Sequence, residues 1–258
     1  MPTPTALITG ASSGIGRALA HRFAADDHRL ILVARRAELL HALAAELKSL
    51  HAAEVHVLVA DLSVAGSAQA LWDQVEALGL PVDVLVNNAG FGIHDQFVDV
   101  PMARWTQMVQ LNVTTLMELT HLALPAMRAR RFGRIVNLSS VGGLIPAPSF
   151  AVYAATKSFV LFFSEALREE VAAEGITVTA VCPGATNTEF HEAAGHRDTL
   201  LMHFMGSVDA MADETYRAIK AGTGMLLPGL VNKPVSFLLR FVPRAWAPKL
   251  AGRLSRKA

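Results

Sequence analysis

Short apolar, β-branched runs alternate along the chain with longer stretches that carry apolar residues at helical spacing. The runs are Ala6 to Thr9, Leu30 to Val33, Val55 to Ala60, Val84 to Val86, Arg134 to Leu138 and Thr177 to Val181. Strands separated by helices imply βαβ units, and right-handed crossovers assemble such units into a parallel sheet with helices on both faces. The near-continuous apolar character of the runs suits strands buried on both sides. No internal repeat, low-complexity segment or Pro/Gly/Ser linker divides the chain before residue 185. The expected fold is therefore a single α/β domain over residues 1–258, with a doubly wound (Rossmann), mostly parallel sheet. From Glu189 to Ala212 the pattern weakens into an apolar stretch, Leu200-Leu201-Met202-His203-Phe204-Met205, followed by a helix around Asp213 to Ala221. Residues 189–221 are expected to form a substrate lid and residues 222–258 a C-terminal extension.

The first strand runs into Thr9-Gly10-Ala11-Ser12-Ser13-Gly14-Ile15-Gly16, after which Arg17 to Ala25 reads as a helix. Glycines let the backbone turn tightly and approach a pyrophosphate, while free N–H groups and the positive end of the helix dipole bind its charge. A plain structural turn is the bland alternative. Gly10-Ala11-Ser12-Ser13-Gly14 also fits the G-x-S-x-G nucleophile elbow of hydrolases, with Ser12 as the nucleophile. That chemistry needs a later acid, then a His, and an oxyanion-hole loop, and its elbow normally follows several strands.

Tyr153-Ala154-Ala155-Thr156-Lys157 places a phenol and an ammonium four residues apart on one helix face. An ordinary tyrosine titrates near pH ~10, so a lysine charge that favours phenolate would bring it toward working pH. On most helices such a pair is surface decoration. Here Ser140 lies upstream, where Arg134 to Ser140 reads as a strand edge meeting the loop Val141-Gly142-Gly143. Ligands of parallel sheets bind beyond the carboxyl ends of strands, where a serine hydroxyl can hold a reacting carbonyl against the tyrosine. Ser139 is its unassigned neighbour, and either serine could instead satisfy loop backbone.

Taken in order from Thr9 to about Phe190, these residues resemble the short-chain dehydrogenase/reductase family. The resemblance implies that Thr9, Gly10, Ser12, Ser13, Gly14, Ile15 and Gly16 bind cofactor phosphates in a T-G-x-x-x-G-x-G loop, and that Asp61-Leu62 holds adenine. It implies that Asn87-Asn88-Ala89-Gly90 supports the sheet and lines the cofactor's sugar, with Asn88 and Ala89 nearest to it. Asn112 matches the family's helix asparagine, whose backbone carbonyl holds a water in a proton relay with the lysine. Pro183-Gly184 with Thr186 and Thr188 resembles the loop that grips the nicotinamide carboxamide, Thr186 standing where an aliphatic residue is usual. Ser140, Tyr153 and Lys157 would be catalytic beside Asn112, with Tyr153 moving the proton and Lys157 also bonding the nicotinamide ribose. The implied activity is hydride transfer between nicotinamide and a carbonyl or alcohol carbon. A non-catalytic NADP-binding sensor or scaffold, docking through the C-terminal tail, is the alternative from another class.

About twenty residues after the glycine turn, a dinucleotide fold carries an acid for NAD or a base for NADP. Arg35-Arg36 occupy that place, and a guanidinium binds phosphate through a charge-assisted fork, so NADP(H) is expected over NAD(H). The alternative is that both arginines are solvated surface charge.

The composition, 52% apolar and 17% charged, fills a core covered on both sheet faces and argues against disorder. The lone Cys182 forms no intrachain disulfide and supports no thiolate metal site; it reads as a buried strand residue. A membrane span and a signal peptide are both missing from the pattern, so a cytoplasmic location is expected. The net charge of +1 conceals a division: the last 44 residues hold no acid and nine of the 23 bases lie beyond Glu214. The neutral total argues against nucleic acid as a partner. Phe237, Leu238, Phe241, Trp246, Leu250 and Leu254 alternate with bases there, but Pro234, Pro243 and Pro248 break the stretch into short pieces. Packing on the core or on a neighbouring subunit is expected ahead of peripheral contact with a membrane. The expected partner is a small carbonyl or alcohol substrate, and the expected assembly is a homo-oligomer, dimer or tetramer. Phe190 and the apolar residues from Leu200 to Met205 favour a bulky apolar substrate.

Overall fold

The computed structural model describes residues 3–184, 206–229, 242–243 and 245–254. Among them seven strands form one sheet: β1 Thr5–Thr9, β2 Arg29–Ala34, β3 Val55–Val59, β4 Val84–Asn87, β5 Gly133–Leu138, β6 Ile176–Val181 and β7 Met225–Leu226. Their order is β3-β2-β1-β4-β5-β6-β7, and every pairing is parallel. The doubly wound sheet with helices on both faces is thus as expected. The sheet takes up one pair, Met225–Leu226, that the sequence reading assigned to the C-terminal extension.

Side chains on a strand alternate between faces, and both faces here are dry. Ala6 and Ile8 of β1, Leu30 and Leu32 of β2 and Val84 and Val86 of β4 join Phe23, Leu40 and Leu47 in one core. Those three come from α1 (Gly14–Ala25) and α2 (Ala37–His51). Leu7, Ile31, Val33 and Leu85 face the other way, against α3 (Ser67–Ala77), α5 (Leu116–Arg130) and α6 (Ala151–Val171). A short helix α4 (Met102–Val109) runs into α5 through a π-helical segment, Gln110–Thr115.

Below the site, a buried polar chain joins the two central strands to the helices. Asn87 Nδ2 donates to Asn137 Oδ1 (2.9 Å) and Thr120 Oγ1 (3.1 Å), and Asn137 Nδ2 donates to Ser164 Oγ (2.9 Å). Asn87 and Asn137 are register partners on β4 and β5. Their amides therefore fix α5 and α6 against the sheet from within.

Helix α7 (Val208–Ala221) begins five residues earlier than the periodicity suggests and packs on α1. Ala212 and Ile219 enter the core, Tyr216 meets Phe23 edge to face at 5.0 Å, and Arg22 bonds Asp213 (2.6 Å) and Asp209 (3.1 Å). Asp26 accepts from Tyr216 (2.5 Å) and Lys220 (2.9 Å). The later part of the 189–221 stretch is thus built into a helical layer. The rest of that stretch up to Met205, with Phe190 and Leu200 to Met205, lies outside the described residues. In helix α8 (Ala247–Leu254), Ala247 and Ala251 are buried, and Gly252 lies against Pro148.

Candidate active site

In this sheet β1 is the strand whose neighbours lead in opposite directions, to β2 and to β4. A crevice opens beyond the carboxyl ends of the strands where the order reverses, and ligands bind there. Thr9, the last residue of β1, builds one wall of it. Its hydroxyl donates to the Val86 carbonyl (3.2 Å) and accepts from the N–H groups of Asn88 and Ala89 (3.0 Å each). The Asn88 amide donates back to the carbonyls of Thr9 (2.9 Å) and Gly10 (3.1 Å), so this side chain shapes the glycine loop itself.

The loop leaves no room for larger residues. Gly10 takes a φ of 65°, and a Cβ on it would lie 2.7 Å from Asn88 Nδ2 and 2.9 Å from Ala89 Cα. A Cβ on Gly16 would stand 2.5 Å from both Asn88 Nδ2 and the Gly10 carbonyl oxygen. Helix α1 starts at Gly14 with Ser13 as an N-cap that makes no side-chain cap bond. Its first-turn N–H groups, with the positive end of the dipole, are the donor set that a pyrophosphate requires. Gly16→Ala is expected to lower NADPH affinity at least about tenfold, because overpacking of roughly 1–3 kcal/mol must be relieved by moving the loop. Cofactor titration by protein fluorescence measures it, and an unchanged dissociation constant would remove this loop from the site.

Arg36 lies over the same loop, its Nη2 donating to Ser13 Oγ (2.9 Å) and Ser12 Oγ (3.2 Å). That contact favours the phosphate-loop reading of Ser12 over the nucleophile reading. A nucleophilic serine needs a base to take its proton, and a guanidinium cannot act as one. Arg35 is exposed and lies on the side of Asp61. Burial raises the Asp61 carboxyl, but hydrogen bonds from Ser63 and the Arg35 charge outweigh it and hold the group below its ordinary range. Leu62 is buried next to it, its carbonyl accepting from Thr115 (2.8 Å).

Ser140, Tyr153 and Lys157 come together at the ends of β5 and β6. Ser140 N-caps the short turn Val141–Gly143, accepting the Gly142 N–H at 3.0 Å, and its hydroxyl is hydrogen-bonded to that of Tyr153. The turn lies close against the α6 backbone and is held there by two side-chain hydroxyls. A Cβ on Gly143 would lie 2.7 Å from the Lys157 carbonyl carbon, Ser158 donates to the Gly143 carbonyl, and Ser139 donates to the Lys157 carbonyl (2.7 Å). Ser139, unassigned from the sequence, is therefore part of the frame that sets Ser140 opposite Tyr153. On the far side the Val141 N–H donates to the Pro183 carbonyl (2.9 Å), which brings Pro183-Gly184 to the same mouth. Thr186 and Thr188 lie outside the described residues.

The electrostatics differ from the sequence expectation. Desolvation pushes the Tyr153 phenol up to about 12, against the lowering effect of its bond to Ser140. Lys157 is buried, donates to the Leu138 carbonyl (2.6 Å), and stands 5.8 Å from the centroid of the tyrosine ring. Its own burial brings it down to about 8, with Cys182 behind it acting in the opposite sense. In the ligand-free protein burial, not the lysine, sets the tyrosine. The upward shift of Tyr153 keeps the phenol protonated at neutral pH, which is the form a proton donor needs.

Asn112 sits in the π-helical segment, 1% exposed. Its side chain is fully engaged: Oδ1 accepts the Phe91 N–H (3.1 Å), and Nδ2 donates to the Phe91 carbonyl (2.9 Å) and to Thr156 Oγ1 (3.2 Å). Gly90 lies between Asn112 and Lys157, where a Cβ would be 3.1 Å from Asn112 Oδ1 and 3.5 Å from Lys157 Nζ. The motifs Asn88 to Gly90, Asn112, Ser140, Tyr153, Lys157 and Pro183-Gly184 thus line one crevice continuous with the glycine loop.

Comparison with known proteins gives the same outline. A family model described as short chain dehydrogenase matches residues 4–199. Sulfoacetaldehyde reductase 2 of Chromohalobacter salexigens is 42% identical over 186 residues, covering 71% of this chain and 73% of that protein. The very-long-chain 3-oxoacyl-CoA reductase of Anas platyrhynchos is 34% identical over 224 residues, covering 84% and 68%. Among solved structures, a short-chain dehydrogenase from Sphingobium yanoikuyae in complex with NADPH superposes with a TM-score of 0.82 at 34% identity, covering 94% of this chain and 97% of that one.

Proposed function

Because this chain belongs to the short-chain dehydrogenase/reductase family, and is thus an oxidoreductase, we propose that it is NADP(H)-dependent and moves a hydride between nicotinamide and a carbonyl or secondary alcohol carbon. The observation that carries the reading is the hydrogen-bonded pair of hydroxyls, Ser140 and Tyr153, set over a buried Lys157 in the crevice that the glycine loop enters. When bound, the nicotinamide supplies or takes the hydride. Gly10 to Gly16 with the α1 N-terminus would hold the pyrophosphate, Arg35 and Arg36 the 2′-phosphate, Asp61 and Leu62 the adenine, Asn88 to Gly90 the sugar, and Pro183, Gly184, Thr186 and Thr188 the carboxamide. Ser140 would hold the substrate oxygen, and Tyr153 would give that oxygen its proton in reduction and withdraw it in oxidation. Lys157 and the Asn112 carbonyl would replenish the proton.

The relatives named above differ in substrate: one name contains a small sulfonated aldehyde, the other a long acyl chain. We favour a bulky apolar carbonyl compound here. Tyr153 is flanked by Phe150 at 5.5 Å, and Phe150 by His94 at 4.7 Å. A cleft of 360 Å³ is lined by Phe97, Trp105, Pro148 and Val152 and also by Asp95, Gln96 and Ser149, and the Asp95 acid repels an anionic tail. In a homologous ketone series with NADPH, each buried methylene contributes about 0.8 kcal/mol, so four added carbons raise kcat/KM about a hundredfold. A flat or falling profile, or a preference for the sulfonated aldehyde, would sink the apolar pocket.

The test of the reaction class is loss of NADPH absorbance with a panel of aldehydes and ketones. Cofactor binding without turnover on any of them would favour the sensor or scaffold. We also read the chain as a cytoplasmic homo-oligomer. Exposed Phe159 and Phe162 on α6 and Met117 on α5 support an assembly. No described helix is long and apolar enough to cross a membrane. The burial in α8 supports packing on the protein over peripheral membrane contact.

A further inference from the structure

Thr156 is one of the three residues between the tyrosine and the lysine that the motif leaves open, beside Ala154 and Ala155. It is 3% exposed, and its single hydroxyl makes two hydrogen bonds in two directions. It donates to the Tyr153 carbonyl (2.7 Å) and accepts from Asn112 Nδ2 (3.2 Å). The first bond is a common habit of threonine in helices, which return their hydroxyl to a preceding carbonyl. The second reaches another element, the π-helical segment, and through Asn112 it extends to both backbone groups of Phe91, next to Gly90. Helix α6 begins at Ala151 after Phe150, which supplies no side-chain cap. Tyr153 therefore stands in a first turn that lacks the usual N-terminal anchor, and the Thr156 hydroxyl ties that turn to the rest of the site.

We propose that Thr156 is a positioning residue that fixes Tyr153 against Asn112, so that the proton donor and the relay keep a common register. The inference rests on the reading of Tyr153 as proton donor. Thr156 itself touches neither substrate nor cofactor. Its loss should slow the proton step and leave cofactor binding intact, since a misplacement of about an ångström can cost an oriented reaction about a hundredfold and a smaller shift less.

The experiment compares Thr156→Val, Thr156→Ser, Asn112→Ala and the double variant Asn112→Ala/Thr156→Val, with NADPH and the best ketone from the panel. Valine keeps the shape and removes the hydroxyl, so kcat should fall about tenfold while the NADPH dissociation constant stays within about twofold. Serine restores the hydroxyl and should return kcat to within about threefold of the unmodified enzyme. If both residues act through one bond, the double variant should be no slower than Asn112→Ala alone, within about twofold. Unchanged kcat in Thr156→Val, no recovery in Thr156→Ser, or independent losses that multiply in the double variant would each overturn the proposal. Should Thr156→Val not fold, Thr156→Ala takes its place in the same comparison. Failure of both to fold gives Thr156 a structural role instead and also overturns it. Normal turnover in Tyr153→Phe would remove the underlying reading, whereas an inactive Tyr153→Phe beside a fully active Thr156→Val removes this inference alone.

Discussion

Tyr153→Phe lowers turnover at least about a hundredfold and leaves the fold and NADPH affinity near those of the unmodified protein, the usual scale for removing a general acid. The substitution deletes one oxygen and keeps the ring, so the contact with Phe150 survives. What disappears is the partner of Ser140 and the proton held by burial at a pKa of about 12. The loss should fall on kcat and kcat/KM together, because a proton delivered to a developing alkoxide is an interaction of the transition state. Steady-state kinetics beside cofactor titration and thermal melting make the separation. Near-normal turnover would reject Tyr153 as the donor, and a collapsed melting curve would mean that the hydroxyl pair holds the fold.

The second large effect concerns the choice of cofactor. NADPH is expected to bind the unmodified protein more tightly than NADH, and Arg36→Asp is expected to reverse or abolish that preference. Arg36 already reaches the Ser12 and Ser13 hydroxyls, so its guanidinium stands beside the phosphate loop before any ligand arrives. A hydrogen bond to a charged group contributes about 1.5–3 kcal/mol, and a carboxylate in its place adds repulsion. The expected loss is about tenfold to a hundredfold in NADPH affinity, with NADH changed far less. Arg35→Asp should act in the same direction and more weakly, because Arg36 is the one that reaches the Ser12 and Ser13 hydroxyls. Equal dissociation constants for the two cofactors in the unmodified protein would refute the assignment.

Much of this was legible in the sequence because strands covered on both faces are largely apolar, and six such runs alternate with helical patterns along the chain. The seventh strand is two residues long, Met225–Leu226, too short for any periodicity to register. Helix α1 begins at Gly14, where the sequence suggested Arg17. Two glycines in its first turn have poor helix propensity, and the tight contact with Asn88 and Gly10 overrides it. The site residues were readable as types and spacings. Their partners were not: nothing in Tyr-x-x-x-Lys says that Lys157 donates a hydrogen bond to the Leu138 carbonyl, or that burial would outweigh the lysine at Tyr153. Nor does the spacing reveal that Ser139 and Thr156 each bridge two elements, since such bridges depend on how α6 lies on β5 and on the π-helical segment.

The pairing of β1 with β4 has a consequence for how the molecule assembles. Thr5 and Asp83, joined at 2.8 Å, are 78 residues apart, and the Thr9 bonds to Asn88 and Ala89 span 79 and 80. Strand β2 can zip onto β1, and β3 onto β2, by shorter excursions of chain, but this seam needs a long loop to close before it gains anything. The entropic cost of closure grows only slowly with length, yet it must be met before the contacts form, which slows folding of parallel sheets. The proposed cofactor crevice lies along that seam, between the Thr9-Gly10 turn and Asn88-Ala89. A nucleotide that binds there selects chains in which the seam is shut, so it acts as a clasp on the longest-range join in the sheet.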